Sequence, residues 1–457
     1  MKTALRLVVG ALALAVLSTG MASRSDANAT TPVVTASTTG AIGGNGATFP
    51  TDQYTKWIAD AKTANPTIFT SSSDTGVVIT YGGGGSTVGK TNFAAAGARS
   101  AASMFNGTDA LLTSAERTAI NSRIGGTNVA PNFIQIPMTA APIAVITNLP
   151  GISTNIKLSG RVICRIYAGQ ITTWNHADIL ALNPTIKALR TMSATIKPVA
   201  RSSGSGTTFI FATFLATAPG SETDKCGYSS DNSGQTATSL SGLTGTLSLS
   251  DGVMGTRFNK MRTTNIIEGS GNAGIQTAVK NNDYSIGYVE MSFSYLTDSS
   301  RPGTTNANVK QAAIQNFNNR TKFLLPTQSG ATAALAKAQA VGGAVNDPVN
   351  PSDSFLHPVN QDSATAYPIV GYSWLLVYKN YTSSTGAGQS QVNSGTAPTK
   401  GQVEAMIFFF NWSLTKGAVY APPGTTVKCF APLPSAVKAA VITQLKTVKY
   451  NDVTVWR

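Results

Sequence analysis

Short apolar runs alternate along this chain with stretches whose apolar residues recur at helical spacing, and that alternation constrains the fold more than any other feature. Val77-Val78-Ile79-Thr80-Tyr81, Ala144-Val145-Ile146 and Leu375-Leu376-Val377-Tyr378 predict buried strands. Residues 51–62, 177–190, 206–218, 273–281 and 402–416 place apolar side chains on one face of a helix. Strands alternating with helices imply sheets with parallel strands, covered by helices, which is an α/β architecture. Polar, Gly/Ser-rich stretches at 227–252, 298–310, 340–364 and 381–400 interrupt the pattern and read as surface insertions. No repeat of fixed period and no heptad seam is visible.

The first 29 residues read as a secretory signal peptide. Lys2 and Arg6 form a charged start, Leu7 to Leu17 a short apolar run, and Ala27-Asn28-Ala29 offers small residues before a cut. A transmembrane helix needs about 20 apolar residues, roughly twice that run. Cleavage removes three basic residues, Lys2, Arg6 and Arg24, with one acid, Asp26. Residues 30–40 then form a flexible Ser/Thr-rich leader. The expected product is exported, to the periplasm or beyond it.

The chain of 457 residues carries 34 Lys+Arg against 20 Asp+Glu, a formal net charge of +14, yet only 12% of it is charged. Soluble domains carry about 25%, so the excess comes from a shortage of acids rather than from basic runs. With 42% hydrophobic residues the chain can fill a real core, which argues against a disordered basic tail. A positive, acid-poor surface attracts anions. Two His and three Cys are too few for a zinc phosphatase or an iron–sulfur protein, so neither metal nor cofactor is expected. In an oxidising compartment Cys164, Cys226 and Cys429 allow one disulfide and one leftover thiol, or three buried thiols.

Three segments could cradle an anion. Gly43-Gly44-Asn45-Gly46-Ala47-Thr48-Phe49-Pro50 precedes a helical pattern; Thr48 offers a hydroxyl and the following helix its free N–H groups. A glycine-rich leader before an ordinary helix has the same signature. Residues 84–91, Gly-Gly-Ser-Thr-Val-Gly-Lys-Thr, match the phosphate-binding P-loop pattern letter for letter. Export, and the lack of a following apolar strand ending in Asp, argue against nucleotide binding, leaving an anion nest or a plain turn. Arg201-Ser202-Ser203-Gly204-Ser205-Gly206-Thr207 follows an apolar run and opens a helix. There Arg201 can fork two bonds to an oxyanion while Ser205 and Thr207 add donors, or the segment is an ordinary capped helix start.

Asp109, in Gly107-Thr108-Asp109 ahead of a helical run at 113–120, is the acid such a site would need. A carboxylate repels an oxyanion unless that anion has a proton to donate. Phosphate has one at neutral pH and sulfate does not, so a single buried acceptor can separate them. The alternative is a turn or capping residue.

Gly46-Ala47-Thr48-Phe49-Pro50, Gly85-Ser86, Gly107-Thr108-Asp109 and Arg201-x-x-Gly-Ser-Gly-Thr207 occur in that order. Together they resemble the substrate-binding proteins of bacterial phosphate ABC importers. Ile166-Tyr167-Ala168-Gly169-Gln170-Ile171 with Trp174, Leu182-Asn183-Pro184, Ile286-Gly287-Tyr288-Val289-Glu290 and Tyr367-Pro368-Ile369 are similar too. Gly85-Ser86-x-x-Gly89-Lys90, Phe430-Ala431-Pro432-Leu433-Pro434 and the placement of Cys164 and Cys226 resemble the DING-type branch of that superfamily.

The resemblance implies a periplasmic-binding-protein (Venus-flytrap) fold: two α/β lobes with mixed sheets, joined by two crossover strands near Pro137–Ala141 and Tyr367–Ile369. Residues 41–139 with 368–457 would form lobe I and 140–367 lobe II. It implies phosphate ligands at Thr48, the Phe49 N–H, Ser86, Asp109, Arg201, Ser205, Gly206 and Thr207, with Asp109 accepting the phosphate proton. It also implies a Cys164–Cys226 bridge. Where the family usually has an acid two residues after the arginine, this chain has Ser203. Such an acid would hold Arg201 in place and temper its charge.

The implied partners are inorganic phosphate and the membrane permease of a phosphate ABC importer, with no nucleic acid and a monomeric chain. A secreted phosphomonoesterase would need an activated Ser86 or Ser205 with a base or metal. His176 and His357 are the only imidazoles, and both read as surface residues. A basic surface or adhesion protein is supported only by charge and the polar insertions.

Overall fold

A computed structural model describes residues 32–34, 38–94, 103–124, 126–127, 131–167, 169–202, 204–217, 266–295, 308–316, 319–342, 347–351, 358–381 and 397–456. The proposed signal peptide, Cys226, Ser203, His357 and the insertion at 227–252 lie outside them.

Nine strands form one mixed sheet. On one side β1 (Gly40–Gly46) lies between β2 (Val77–Gly83) and β3 (Phe105–Thr108), parallel to both. The sheet continues through β12 (Val370–Tyr378) to β4 (Phe133–Asn148), the two antiparallel. On the other side β8 (Ser285–Glu290) leads to β6 (Lys197–Arg201) and β7 (Ile267–Gly269), while β9 (Val309–Gln311) also pairs with β4. A separate small sheet joins β5 (Lys157–Leu158), β10 (Ala313–Asn316) and β11 (Asn319–Leu324).

The sixteen residues of β4 join the halves, and all are buried. Its first part pairs with β12 through Pro142, and from Ile143 onward it pairs with β8. Beside this handover the Ile143 N–H donates to Ile369 O at 2.8 Å, just before β12 begins. The run read from sequence as Ala144–Ile146 is the far end of this longer strand. A strand buried on both faces carries no alternation, and Pro137 and Pro142 within it read as breaks.

Helices form at the stretches the apolar spacing implies, and at others that it does not mark. Helix α1 (Thr51–Ala64) buries Tyr54, Trp57 and Ala61 along one stripe. Helix α2 (Ser86–Ala94) follows β2, and α3 (Ser114–Ile124) follows β3. On the other side of the sheet are α4 (Gly160–Tyr167), α5 (Ala177–Leu182), α6 (Gly206–Thr217) and α7 (Gly271–Asn281). The helix read over 177–190 stops at Leu182, because Pro184 drives Asn183 out of helical geometry; a 3-10 turn resumes at Lys187–Thr191. Helix α8 (Gln328–Val341) precedes the return to β12. Then α9 (Lys400–Thr415) starts at a reciprocal Thr399/Gln402 capping box, and α10 (Ser435–Leu445) ends the helical order.

Candidate functional site

The chain leaves β1, β2, β3 and β6 at their C-terminal ends, and those exits meet at one seam. Carboxyl ends of strands in α/β sheets are where helix N-termini present unpaired N–H groups. The first exit is Gly46, with φ +134°; a Cβ there would sit 2.1 Å from Gly107 O. Only glycine allows β1 to press so close to β3. The segment Gly40–Gly46, with the signature of a glycine-rich leader, is therefore a strand inside the sheet. Beyond it Phe49 is buried edge-on against Phe430, and Thr48, half-buried, accepts a 3.4 Å hydrogen bond from Asn272 Nδ2 of α7.

The second exit corrects the P-loop match. The N–H groups of Gly84 and Gly85 both donate to Gly46 O at 2.7 Å, so they tie β2 to β1 rather than forming a nest. Lys90 points away from the seam: its Nζ lies 2.9 Å from Glu116 Oε1 and 3.4 Å from Leu111 O. What the loop delivers is Ser86, the first residue of α2, buried at 1% exposure.

Ser86 Oγ is the hub of the seam. It accepts from the Asp109 N–H at 2.9 Å and the Gly206 N–H at 3.1 Å, and donates to Asp109 Oδ2 at 3.2 Å. The other carboxylate oxygen, Oδ1, accepts from Ser373 Oγ at 2.6 Å. Burial pushes the Asp109 carboxyl up to about 7, against the opposing pull of the Ser373 and Ser86 hydroxyls and the Arg201 charge.

The fourth exit places Arg201 at the end of β6, 2% exposed. Its Nη1 donates to Ser205 Oγ at 2.7 Å, and Ser205 Oγ also caps α6 by accepting from the Thr208 N–H at 3.2 Å. Desolvation lowers the guanidinium pKa, partly offset by Tyr288 and Asp109. Arg201 Nε and Thr207 Oγ1 are buried and have no hydrogen-bond partner among the described residues. Two idle buried polar atoms beside a helix start are capacity for a ligand, since such groups are otherwise nearly always paired.

Ser86, Asp109, Arg201, Ser205, Gly206 and Thr207 thus come together from segments far apart in sequence, with Thr48 and Phe49 at the adjoining β1–α1 turn. Two further residues carry the site without a sequence motif pointing to their roles. Tyr288 OH bonds Thr208 Oγ1 at 2.7 Å and accepts from the Arg201 N–H at 3.4 Å. Ser373 is the one aliphatic hydroxyl in the largely apolar strand VGYSWLLVY, and a small polar residue in a fully buried strand signals a buried partner.

Elsewhere, Cys164 is disulfide-bonded, and Cys429 is a buried thiol whose Sγ donates to Val427 O at 3.8 Å. His176 is half-buried and caps α5, its Nδ1 accepting from the Asp178 N–H at 3.2 Å. Among the described residues no cluster of three or more His, Cys, Asp or Glu could hold a metal, and no helix is long and apolar enough to cross a membrane.

A family model described as a PBP superfamily domain matches residues 33–389. The phosphate-binding protein PstS of Methanocaldococcus jannaschii is 28% identical over 386 residues, covering 81% of this chain and 78% of its own. PstS of Haemophilus influenzae is 25% identical over 317 residues, 69% of this chain and 73% of its own. Among solved structures, a high-affinity periplasmic phosphate-binding protein (PfluDING) bound with phosphate aligns with a TM-score of 0.56 at 22% identity, covering 88% of this chain and 93% of that one. A DING protein aligns with the same score at 20% identity and the same coverage. At such identities the structural likeness is one of fold.

Proposed function

Because the chain belongs to the PBP superfamily, we propose that it captures inorganic phosphate between two lobes and delivers it to the permease of an ABC importer. The fold is the mixed α/β fold of periplasmic binding proteins. In this reading residues 41–139 with 368–457 form lobe I, residues 140–367 form lobe II, and β4 and the segment entering β12 cross between them. Removal of residues 1–29 would release an exported, monomeric chain, and the relatives named phosphate-binding protein PstS support the cargo.

One observation carries the assignment: a ring of buried donors surrounds a single carboxylate. Arg201, Ser205, Thr207 and the Gly206 N–H lie on one wall, and Ser86 and Asp109 on the other. Parting the Ser86–Gly206 contact frees these groups for an oxyanion, with Thr48 and the Phe49 N–H completing the shell. Each hydrogen bond to a charged partner contributes about 1.5–3 kcal/mol, so a handful suffices for tight capture. Asp109, the one acceptor, takes the proton that phosphate carries and sulfate lacks.

Binding fits the geometry better than phosphate ester hydrolysis. Ser205 Oγ, one candidate nucleophile, accepts two N–H donors, which occupies the lone pairs an attacking oxygen needs, and the one histidine among the described residues, His176, caps α5 and is no base for Ser86. Radiolabelled phosphate binding and p-nitrophenyl phosphate hydrolysis, measured on the same preparation, separate the two. Saturable phosphate binding without turnover is expected; turnover abolished by Ser86→Ala or Ser205→Ala would overturn the reading.

A further inference from the structure

We propose that Ser373 is a positioning residue that keeps Asp109 an ionised acceptor and thereby sets the pH range over which the site rejects fully deprotonated oxyanions. The inference rests on the phosphate-binding reading and adds to it a residue and a regulation. Asp109 has two oxygens with different neighbours. Oδ2 faces Ser86 at 3.2 Å, on the wall that meets Gly206, whereas Oδ1 is held from behind by Ser373 Oγ at 2.6 Å. Ser373 is fully buried in β12, and the register of β12 against β4 shifts between Ser373 and Trp374. Irregularities of this kind re-aim a side chain next to a binding site.

The shorter bond is the stronger donor to the carboxylate, and a donor favours the charged form. Among the described residues, the other titratable groups that act on Asp109 are Arg201 at the end of β6, Tyr54 of α1 and Tyr81 of β2. Burial and the Asp109 charge hold both phenols above their ordinary range, so they remain neutral. Against burial, which drives the carboxyl up to about 7, Ser373 is the leading group that lowers it, ahead of Ser86 and Arg201. Loss of the Ser373 hydroxyl therefore shifts the Asp109 balance near pH 7 further toward the neutral form, and a neutral donor welcomes an anion without protons.

Sulfate does not titrate between pH 5 and 9, so the pH dependence of its affinity comes from the protein, with Asp109 the group beside the ligand. Wild-type protein and Ser373→Ala are titrated with sulfate and with phosphate, and the Asp109 carboxyl carbon is followed by 13C NMR in both unliganded proteins. The expected result is that Ser373→Ala moves the Asp109 midpoint and the onset of sulfate binding up by about one pH unit, and lowers the phosphate-to-sulfate preference at pH 7.5 roughly tenfold. Ser373→Thr, which retains the hydroxyl, restores both. An unchanged midpoint with unchanged selectivity would overturn the role of Ser373 while leaving phosphate capture intact. Failure of the wild-type protein to bind phosphate would instead remove the functional reading, and the NMR midpoints would still decide whether Ser373 holds Asp109 ionised.

Discussion

Ser86 Oγ and the Gly206 N–H meet at 3.1 Å, a hydrogen bond that ties the helix after β2 to the helix after β6. The two walls of the site hold each other through the groups an oxyanion would use. Capture in the proposed site would exchange a direct bond for two bonds to the guest, a small displacement between closed arrangements.

Gly206 has no room for a side chain, since a Cβ there would lie 2.3 Å from Asp109 Cβ and 2.5 Å from Ser86 Oγ. Gly206→Ala should hold the walls apart at a cost of about 1–3 kcal/mol. Phosphate affinity, read by calorimetry, should fall between roughly fivefold and a hundredfold, and small-angle scattering should show a more open molecule.

Asp109→Asn should weaken phosphate binding by about 2–4 kcal/mol and relax the rejection of sulfate, because an amide offers a donor where the site needs an acceptor. The same substitution should flatten the pH dependence of stability. The Asp109 carboxyl is raised from 3.8 to about 7 in the folded chain, so between those values the folded state binds more protons than the unfolded one. Unliganded wild-type protein should therefore lose stability as pH rises through that window, by on the order of 4 kcal/mol, and stay level above it. Thermal melting from pH 4 to 8 checks this: Asp109→Asn should melt above the wild type at pH 8 and converge with it near pH 4.

Lys90 has the position of a P-loop lysine and none of its reach. It is 2% exposed and paired with Glu116, which is 32% exposed on its side chain. Lys90→Met should leave phosphate affinity within about twofold and lower stability by roughly 1–3 kcal/mol, the half-exposed partner softening the loss of the pair. Chemical denaturation and calorimetry on one sample measure both.

The cysteines give a chemical test of the disulfide. Cys164 is bonded and Cys429 is a fully buried thiol, and the DING-like resemblance makes Cys226 the partner of Cys164. Alkylation should label no cysteine in the native chain, one after unfolding, and all three after reduction. Peptide mapping should recover Cys164 joined to Cys226.

Much of the fold was legible because periodicity reports burial. The spacing of Tyr54, Trp57 and Ala61 announces α1, and the apolar runs at Val77 and Leu375 announce their strands. Gly40–Gly46 was not, since four of its seven residues are glycines and too few side chains remain to show an alternation; its place depends on Gly107 and Gly89 pressing against Gly46. The motif residues at Ser86, Asp109 and Arg201 were legible as parts, because hydroxyls, glycines and an arginine at a strand exit have few uses. Their mutual bonds were not, and neither was Ser373, separated from Asp109 by 264 positions in sequence. Long-range partners of a buried carboxylate leave no local spacing to read.

Calorimetric titration of the purified, phosphate-stripped protein with phosphate and with sulfate at pH 7.5 tests the central claim most directly. One phosphate per chain should bind, more tightly than sulfate, with the discrimination lost in Asp109→Asn and binding abolished in Arg201→Ala. Equal affinity for the two anions, or no phosphate binding at any ionic strength, would contradict it.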